Sequence, residues 1–323
     1  GKGRVVDGEG HLHGGRADLY KGQRLHAVHG ADGVADGDVA DAAHGDDVAG
    51  GGLGDRLAAK AVELCGDFKQ GEIIAGRVKD NAEAVIFNGK NYPVTEDGYF
   101  ILAFGRDQKA NADISLLYPD GGKRLHRLPV ETYDWDIQRI NGIPQSKVTP
   151  DSSHDAEIRR EQKDVRRSLT VMRPGDYWRE GFILPVKGRI SGEFGNQRIF
   201  NGTPKSPHSG TDIAAPEGTP VKASGSGKVI LSGKNYFYTG NMVIIDHGQG
   251  LQTIYAHLKE AKVKAGEIVK QGQIIGLVGH TGRATGPHLH WGASLNNVRF
   301  RPHSLLNLNH KTCRNITDGK KTD

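Results

Sequence analysis

The chain has 323 residues, of which 36% are hydrophobic, and this length accommodates about two domains. No run approaches the ~20 consecutive apolar residues of a membrane span, so the sequence predicts no transmembrane segment. The net charge of +5 is concentrated in residues 183–303, where 14 Lys and Arg outnumber 6 Asp and Glu. Such a basic segment favours a polyanionic partner (nucleic acid, an anionic lipid surface or an acidic cell-wall polymer), and no nucleic-acid-binding motif supports the first.

The N-terminal segment has an unusual composition. Residues 1–60 contain 15 Gly, 10 Ala and 9 Asp but no Ser, Thr, Asn, Pro, Ile or Phe. This composition cannot bury a core. Most of its residues have codons that begin with G or C, as a G+C-rich stretch yields when it is translated in the wrong frame. We therefore expect residues 1–65 to be a disordered or mis-assigned segment, in which no secretory signal can be read.

Residues 66–133 have the pattern of a small antiparallel β domain. Apolar and polar residues alternate in AEAVIFNGKNYPVTEDGYFILAFGRD, where Asn88-Gly89 and Asp97-Gly98 are typical of tight hairpin turns. The stretch ADISLLYPDGGKRLHRLPV repeats the pattern with another Asp-Gly turn. We interpret this segment as an accessory β domain.

Residues 134–182 are predicted to be a linker that contains one charged helix. The stretch SSHDAEIRREQKDVRRSLT, residues 152–170, is dense in charge and carries a partial apolar stripe. A Pro-Asp pair before it and a Pro-Gly pair after it are typical of helix boundaries.

Residues 183–303 have the pattern of a second β domain. The β-prone runs NMVIIDHG, LQTIYAHL and QIIGLVG are separated by Gly-containing turns, as in an antiparallel sheet or sandwich. Residues 304–323 are predicted to be a polar tail. The sequence thus indicates a mainly β protein: an accessory domain, a short connecting helix and a C-terminal antiparallel β domain.

Two histidines one residue apart occur in GPHLHW, residues 286–291. In a strand, residues i and i+2 project to the same face, so His288 and His290 would share a face and Leu289 would point to the other. Two neighbouring imidazoles indicate a metal site or a proton-transfer pair. The alternative is a pair of surface histidines beside a buried tryptophan.

The same segment supplies further groups for a metal site. His208 stands four residues before Asp212, and His257 follows the apolar run TIYA. One Asp and four His provide three N/O ligands, an open position for water and proton-transfer groups, as a catalytic zinc site requires. The cysteines take no part, which argues against a closed structural zinc site, and the absence of an HExxH helix leaves no Glu as base.

The stretches HSGTD, YAHL and GPHLHW resemble the signature of the lysostaphin/LytM-type zinc metallopeptidases, which hydrolyse peptide cross-links in bacterial peptidoglycan. The three motifs occur in the family's order, and the resemblance covers residues 183–303. It implies one Zn²⁺ per chain with His208, Asp212 and His290 as ligands.

The resemblance also implies that His257 and His288 are the catalytic histidines that do not bind the metal. One of them would take the proton of the attacking water, and the other would stabilise the oxyanion or protonate the leaving amine. The sequence leaves open which histidine does which.

The function implied is a zinc-dependent endopeptidase acting on peptidoglycan stem peptides in the periplasm or another extracytoplasmic space. The stretches FGRDQKA and WDIQRINGIP are similar to accessory regions of periplasmic members and favour a D,D-endopeptidase in cell-wall remodelling. The alternative is a non-catalytic regulator that activates cell-wall amidases, although all five functional positions are intact here. No nucleic-acid partner is expected, and the oligomeric state stays open.

The two cysteines, Cys65 and Cys313, are far apart and form no CxxC pattern. Either one long-range disulfide or two separate thiols agrees with the sequence.

Overall fold

The protein is mainly β, which confirms the fold class predicted from the sequence. A computed structural model describes residues 62–308 and 314–315, so most of the predicted N-terminal segment and of the predicted tail lies outside the described residues. The described residues belong to one compact unit. Their division into an accessory domain, a linker and a C-terminal domain stays a prediction.

Two antiparallel sheets form the N-terminal part of the described chain. One has the order β21-β1-β2-β5 and the other the order β4-β3-β6-β7. Asn88 and Gly89, with φ of 48° and 72°, connect β3 to β4 in the left-handed conformation of a type I′ turn, as the Asn-Gly pair predicts. The strands are β1 (Val62–Cys65), β2 (Ile73–Val78), β3 (Ala84–Phe87), β4 (Lys90–Pro93), β5 (Tyr99–Ala103), β6 (Asn111–Leu117), β7 (Lys123–Pro129) and, at the end of the chain, β21 (Arg314–Asn315).

Secondary structure at both ends of the described chain extends beyond the boundaries predicted from the sequence. Val62–Cys65 pairs with β2, although these residues fall within the segment expected to be disordered. The expectation was wrong here because composition does not distinguish a short strand that has no turn signal. The predicted tail begins inside a 3₁₀ helix, Pro302–Asn307, in which Leu305 is fully buried. The Ser304 hydroxyl there accepts the backbone N–H of Ile73 at 3.3 Å.

Cys65 is disulfide-bonded. The sequence contains one other cysteine, Cys313, which lies outside the described residues. Its neighbour Arg314 pairs with Leu64 in the backbone ladder between β21 and β1. Of the two alternatives that the sequence left open, the structure supports a disulfide.

A short region with helices connects the sheets. The helix predicted for the charged stretch is confirmed: the 3₁₀ turn Ser152–His154 leads into an α-helix, Asp155–Thr170. The Asp151 carboxylate caps the start of the turn by accepting the backbone N–H of Ser153 at 2.9 Å. Among the described helices none is long and apolar enough to span a membrane. The elements are β8 (Ile137–Ile140), α1 (Gln145–Val148), the 3₁₀ turn Ser152–His154, α2 (Asp155–Thr170) and the 3₁₀ turn Tyr177–Glu180.

The C-terminal strands form a ten-stranded antiparallel sheet with the main order β17-β14-β15-β16-β19-β12-β9, to which β13, β18 and β20 are added. A small sheet, β11-β10-β8, lies beside it, and its strand β8 comes from the predicted linker. The strands are β9 (Arg189–Gly192), β10 (Gln197–Phe200), β11 (Thr203–Pro204), β12 (Gly210–Ala214), β13 (Pro220–Lys222), β14 (Gly227–Tyr236), β15 (Gly240–Asp246), β16 (Leu251–Ala261), β17 (Ile268–Val269), β18 (Ile274–Val278), β19 (His288–Leu295) and β20 (Val298–Phe300).

One face of the large sheet carries both the predicted site and helix α2. Directly opposed residues of an antiparallel pair share a face, and Ala256 on β16 opposes His290 on β19. Ala256 also belongs to the apolar cluster that Leu169 of α2 covers. Leu289 and Trp291 are fully buried on the opposite face. The alternation expected for HLHW is therefore present.

Acid is expected to destabilise the fold through His247, which follows β15. This ring is fully buried, donates Nδ1–H to the Ser226 carbonyl at 2.7 Å and lies 2.7 Å from the Thr253 hydroxyl. Burial lowers the pKa of His247 from 6.5 to about 4. Below pH 6.5 the unfolded chain therefore gains a proton that the native ring does not, so this contribution to stability is present above that pH and is lost as the pH falls toward 4.

Urea unfolding at pH 7.5 and 5.0 is expected to show a stability loss about 2 kcal/mol larger for the wild type than for His247→Gln. Equal losses would contradict the assignment.

Candidate metal centre

Strands β12 and β19 bring the three predicted ligands together. Asp212 lies in β12 directly opposite His290 in β19, and His208 precedes β12 by two residues. The Nε2 atom of His208, the Nδ1 atom of His290 and the Oδ1 atom of Asp212 form a triangle with sides of 2.9–3.0 Å. His208 and Asp212 are buried, so this triangle is shielded from bulk water on one side.

The triangle fits a zinc ion. Ligand atoms on one tetrahedral zinc are roughly 3.3 Å apart, because each bond is about 2.0–2.1 Å long. His208 donates Nδ1–H to the Glu193 carbonyl at 2.9 Å, which turns its Nε2 atom toward the Asp212 carboxylate and, without a proton there, its lone pair too. Converging lone pairs and a negative charge repel one another unless a cation lies between them. Two imidazoles and one carboxylate also leave a fourth position open.

The ionisation states of the triangle agree with metal binding. Burial lowers the pKa of His290 to about 4, so its ring is neutral at pH 7. Burial alone would raise the pKa of Asp212, but the charges and hydrogen bonds of His208 and His290 outweigh it and hold that pKa well below its usual range. At neutral pH the triangle therefore presents a neutral His290 imidazole and an Asp212 carboxylate.

His257 and His288 lie beside the triangle. Their ring centroids are 4.8 Å apart, and the ring of His257 is 6.0 Å from that of His290. The Nε2 atom of His288 is 3.8 Å from Oδ1 of Asp212. The structure thus brings all five predicted site residues to one place on the sheet.

Backbone carbonyls fix the orientation of both flanking rings. His257 donates Nδ1–H to Thr281 and His288 donates Nδ1–H to Gly286, each at 2.8 Å. A neutral ring held in this way keeps its lone pair on Nε2. Burial lowers the pKa of His257 to about 3, which keeps that ring neutral. Both histidines can accept a proton at Nε2.

The backbone of His257 is strained. Its φ of 62° lies in the left-handed region, which is uncommon for a residue other than glycine. The N–H of His257 donates to the Thr239 carbonyl at 2.9 Å, and this bond helps to hold the conformation. Strain of this kind clusters at functional sites.

A short loop, residues 193–196, is hydrogen-bonded to both the ring and the backbone of His208. Besides the Glu193 carbonyl that accepts Nδ1–H, the backbone N–H of His208 donates to Asn196 and the N–H of Gly195 donates to His208, both at 2.9 Å. The position of this proposed ligand therefore depends on the conformation of the loop.

Two residues from the N-terminal half hold the same loop on its other side. Arg106 donates from Nε to the Gly195 carbonyl at 2.6 Å. The Trp135 ring packs edge-to-face on Phe194 with centroids 5.7 Å apart, and a Cβ at Gly195 would overlap that ring. Both residues lie in the stretches FGRDQKA and WDIQRINGIP noted in the sequence, but their contact with the loop was not predicted, because only the folded chain brings them to it.

Arg198 was missed as well. Its guanidinium contacts Oδ2 of Asp212, the carboxylate oxygen that lies outside the triangle, and its Nε donates to Gln138 Oε1 at 3.1 Å. Gln138 lies on β8 and in turn donates to the Ser191 carbonyl at 3.0 Å. Partners of this kind orient a metal ligand, so β8 contributes to the site through Arg198.

Two histidines and an aspartate on a β-sheet, with two further imidazoles beside them, define the class of zinc hydrolases with a three-ligand site. Residues 206–302 match the model of Peptidase family M23. The domain formed by these residues belongs to that family of zinc metallopeptidases, as the resemblance in the motifs predicts.

The relatives agree with this membership. The peptidoglycan DD-endopeptidase ShyA of Vibrio cholerae is 47% identical over 129 residues, which cover 40% of this chain and 29% of that protein. The DD-carboxypeptidase/endopeptidase Mpg of Neisseria meningitidis is 47% identical over 98 residues, which cover 30% of this chain and 22% of that protein. The match thus spans less than a third of the length of either relative.

A solved structure extends the likeness beyond the family domain. The crystal structure of a putative peptidase M23 from Pseudomonas aeruginosa has a TM-score of 0.60 and 29% sequence identity. The matched region covers 74% of this chain and 95% of the Pseudomonas aeruginosa chain. The likeness therefore includes residues before position 206.

Proposed function

We propose that this chain is a zinc-dependent endopeptidase that hydrolyses peptide cross-links of bacterial peptidoglycan, with D,D-endopeptidase specificity. The observation that carries the proposal is the ligand triangle with two imidazoles beside it, each with its Nδ1–H bonded to a backbone carbonyl and Nε2 left to accept a proton. The names of the relatives, a DD-endopeptidase and a DD-carboxypeptidase/endopeptidase, support the substrate class.

His208, Asp212 and His290 would hold the zinc ion, which when bound polarises a carbonyl and lowers the pKa of water. The protein's own contribution is to place two imidazoles next to that position, each with its Nδ1–H held by a backbone carbonyl. One of His257 and His288 takes the proton of the attacking water at Nε2, and the other stabilises the oxyanion or protonates the leaving amine. The carbonyls of Thr281 and Gly286 hold both rings in the tautomer that this requires.

We further propose that the protein acts in the periplasm or another extracytoplasmic space. Peptidoglycan lies there, and the disulfide at Cys65 supports an oxidising compartment.

Digestion of purified sacculi, followed by mass spectrometry of the products, tests the function. We expect cross-linked muropeptides to decrease and uncross-linked stem peptides to appear, with cleavage at the D-Ala–diaminopimelate bond. If release occurs only after an amidase is added, and the products are cut between sugar and peptide, the chain is a regulator and the proposal fails.

Binding to the cell wall is expected to weaken as salt rises. Residues 183–303 carry 14 Lys and Arg against 6 Asp and Glu, and exposed charges are screened beyond about 8–10 Å at physiological ionic strength. Co-sedimentation with isolated sacculi at increasing NaCl checks this. Retention that does not depend on salt would instead indicate uncharged, specific contacts.

A further inference from the structure

A groove between helix α2 and the large sheet lies next to the metal centre. It encloses a cavity of about 350 Å³ whose lining includes Glu161, Arg166, Leu169, Tyr238, Thr239 and Arg299. Thr239 connects the groove to the site, since its carbonyl accepts the backbone N–H of His257. The wall of the groove is therefore bonded directly to the strand that carries His257.

The Arg299 guanidinium lies on the same face of the sheet as the metal triangle. Arg299 on β20 is directly opposite Ser294 on β19. Its Nη1 atom is 3.5 Å from the point that a Cβ on Gly292 would occupy, so the guanidinium lies against Gly292. Gly292 is two residues from His290 on one strand face, which is roughly 7 Å at about 3.4 Å per residue.

Within the part of the chain that the structure describes, the Arg299 side chain has no hydrogen bond and no ion pair. Other arginines near the sheet differ, because Arg173 pairs with Asp246 at 2.8 Å and Arg198 contacts Asp212. Burial lowers the pKa of Arg299 to about 10, so it stays charged at neutral pH. The Arg299 side chain is half-buried; a partly desolvated charge without a partner is unfavourable, and a bound anion would relieve this.

The neighbours of Arg299 are polar and also lack partners. Gln252, Ser294 and Arg299 stand in one row across three strands. The Ser294 hydroxyl and both amide atoms of Gln252 are buried without a hydrogen bond among the described residues. Glu161, the carboxylate that lines the same cavity, already accepts the backbone N–H of Phe237 at 2.8 Å.

We propose that Arg299 binds a carboxylate of the peptide substrate close to the scissile amide. The inference rests on the proposed function, since it assumes a peptide at the metal. Two sources share this chemistry. In a D-Ala–diaminopimelate cross-link the carbon bonded to the scissile nitrogen carries a carboxylate, whereas a stem peptide that ends in D-Ala-D-Ala has a terminal one.

The test compares two pairs of substrates with the zinc-loaded protein. The first pair is a cross-linked muropeptide dimer with that diaminopimelate carboxylate free or amidated. The second is a stem pentapeptide with its terminal carboxylate free or amidated. The wild type is expected to prefer the free form in one pair by about 10- to 100-fold in kcat/KM, as a charge-assisted hydrogen bond contributes, and that pair identifies the source.

Arg299→Gln is expected to lose this preference because kcat/KM falls only for the substrate with the free carboxylate. Zinc content and kcat/KM for the amidated substrate should be unchanged. Arg299→Lys should keep part of it. Arg159→Gln removes an exposed arginine of α2 whose partner is Asp155, and it should keep all of it. A wild type without preference in either pair, or a preference that survives in Arg299→Gln, overturns the proposal.

A binding measurement separates this inference from the proposed function. If the wild type cleaves none of the four substrates, the function fails. Calorimetric titration with the free and the amidated form of each peptide then decides the inference. Tighter binding of a free form that disappears in Arg299→Gln supports it, and equal binding of both forms overturns it.

Discussion

Alanine in place of His208, Asp212 or His290 is expected to remove zinc and hydrolysis together. Each residue supplies one of the three donor atoms that converge within 4.8 Å. With one of them gone, the site no longer has the three protein ligands typical of catalytic zinc. Elemental analysis of the purified variants, beside cleavage of cross-linked muropeptides, measures both quantities.

Alanine at His257 or His288 is expected to leave about one zinc per chain while hydrolysis falls about 10²–10⁴-fold, the usual contribution of a general acid-base group or an oxyanion donor. Neither ring belongs to the triangle, and their Nδ1 atoms are bonded to backbone carbonyls. His280→Ala is the control. That exposed ring pairs with Glu217 outside the site, so zinc and activity should both persist.

The five variants also test the assignment within HLH. If His288→Ala loses zinc while His290→Ala keeps it, the roles of the two histidines are inverted. If all five variants keep zinc, the metal binds elsewhere and the site is wrong.

Trp135→Ala is expected to weaken zinc binding about 10- to 100-fold, the range seen when the support of a metal ligand is removed. Its ring packs on Phe194 and Gly195 in the loop that makes three hydrogen bonds to His208. Arg106→Ala should act in the same direction, because it loses the bond to the Gly195 carbonyl. Competition with a chelator of known affinity gives the zinc dissociation constants.

Arg127→Ala is the matched control for these variants, since Arg127 forms an exposed ion pair with Asp113 away from the loop. The absorption spectrum of the cobalt-substituted protein separates positioning from simple packing, because it reports the geometry of the ligands. A Trp135→Ala protein that is less stable, yet keeps the zinc affinity and cobalt spectrum of the wild type, would contradict a positioning role.

Local sequence signals were enough for the fold class and for the residues that meet at the site. Asn88-Gly89 specifies its hairpin through the φ values that its turn requires. The alternation in HLHW places His288 and His290 on one face and Leu289 in the core, because successive side chains of a strand alternate. These features depend on neighbours in the sequence, which a pattern can record.

Contacts between distant segments could not be predicted in this way. Gln138 reaches Arg198, and Trp135 reaches Gly195, only because β8 joins β10 in a parallel pair. Val62–Cys65 becomes a strand because β2 and β21 accept it as a partner. In each case the deciding interaction is tertiary, and no local periodicity carries it.

The left-handed backbone at His257 sets activity against stability at one position. Glycine, and to a lesser degree asparagine, adopts this conformation with little strain, whereas the role proposed for His257 requires an imidazole. His257→Asn would relax the backbone and remove the ring in one step, so hydrolysis would fall with a smaller loss of stability than in His257→Ala. Such a protein would cleave a bound cross-linked peptide slowly, and the position of that peptide relative to the groove beside α2 could then be seen.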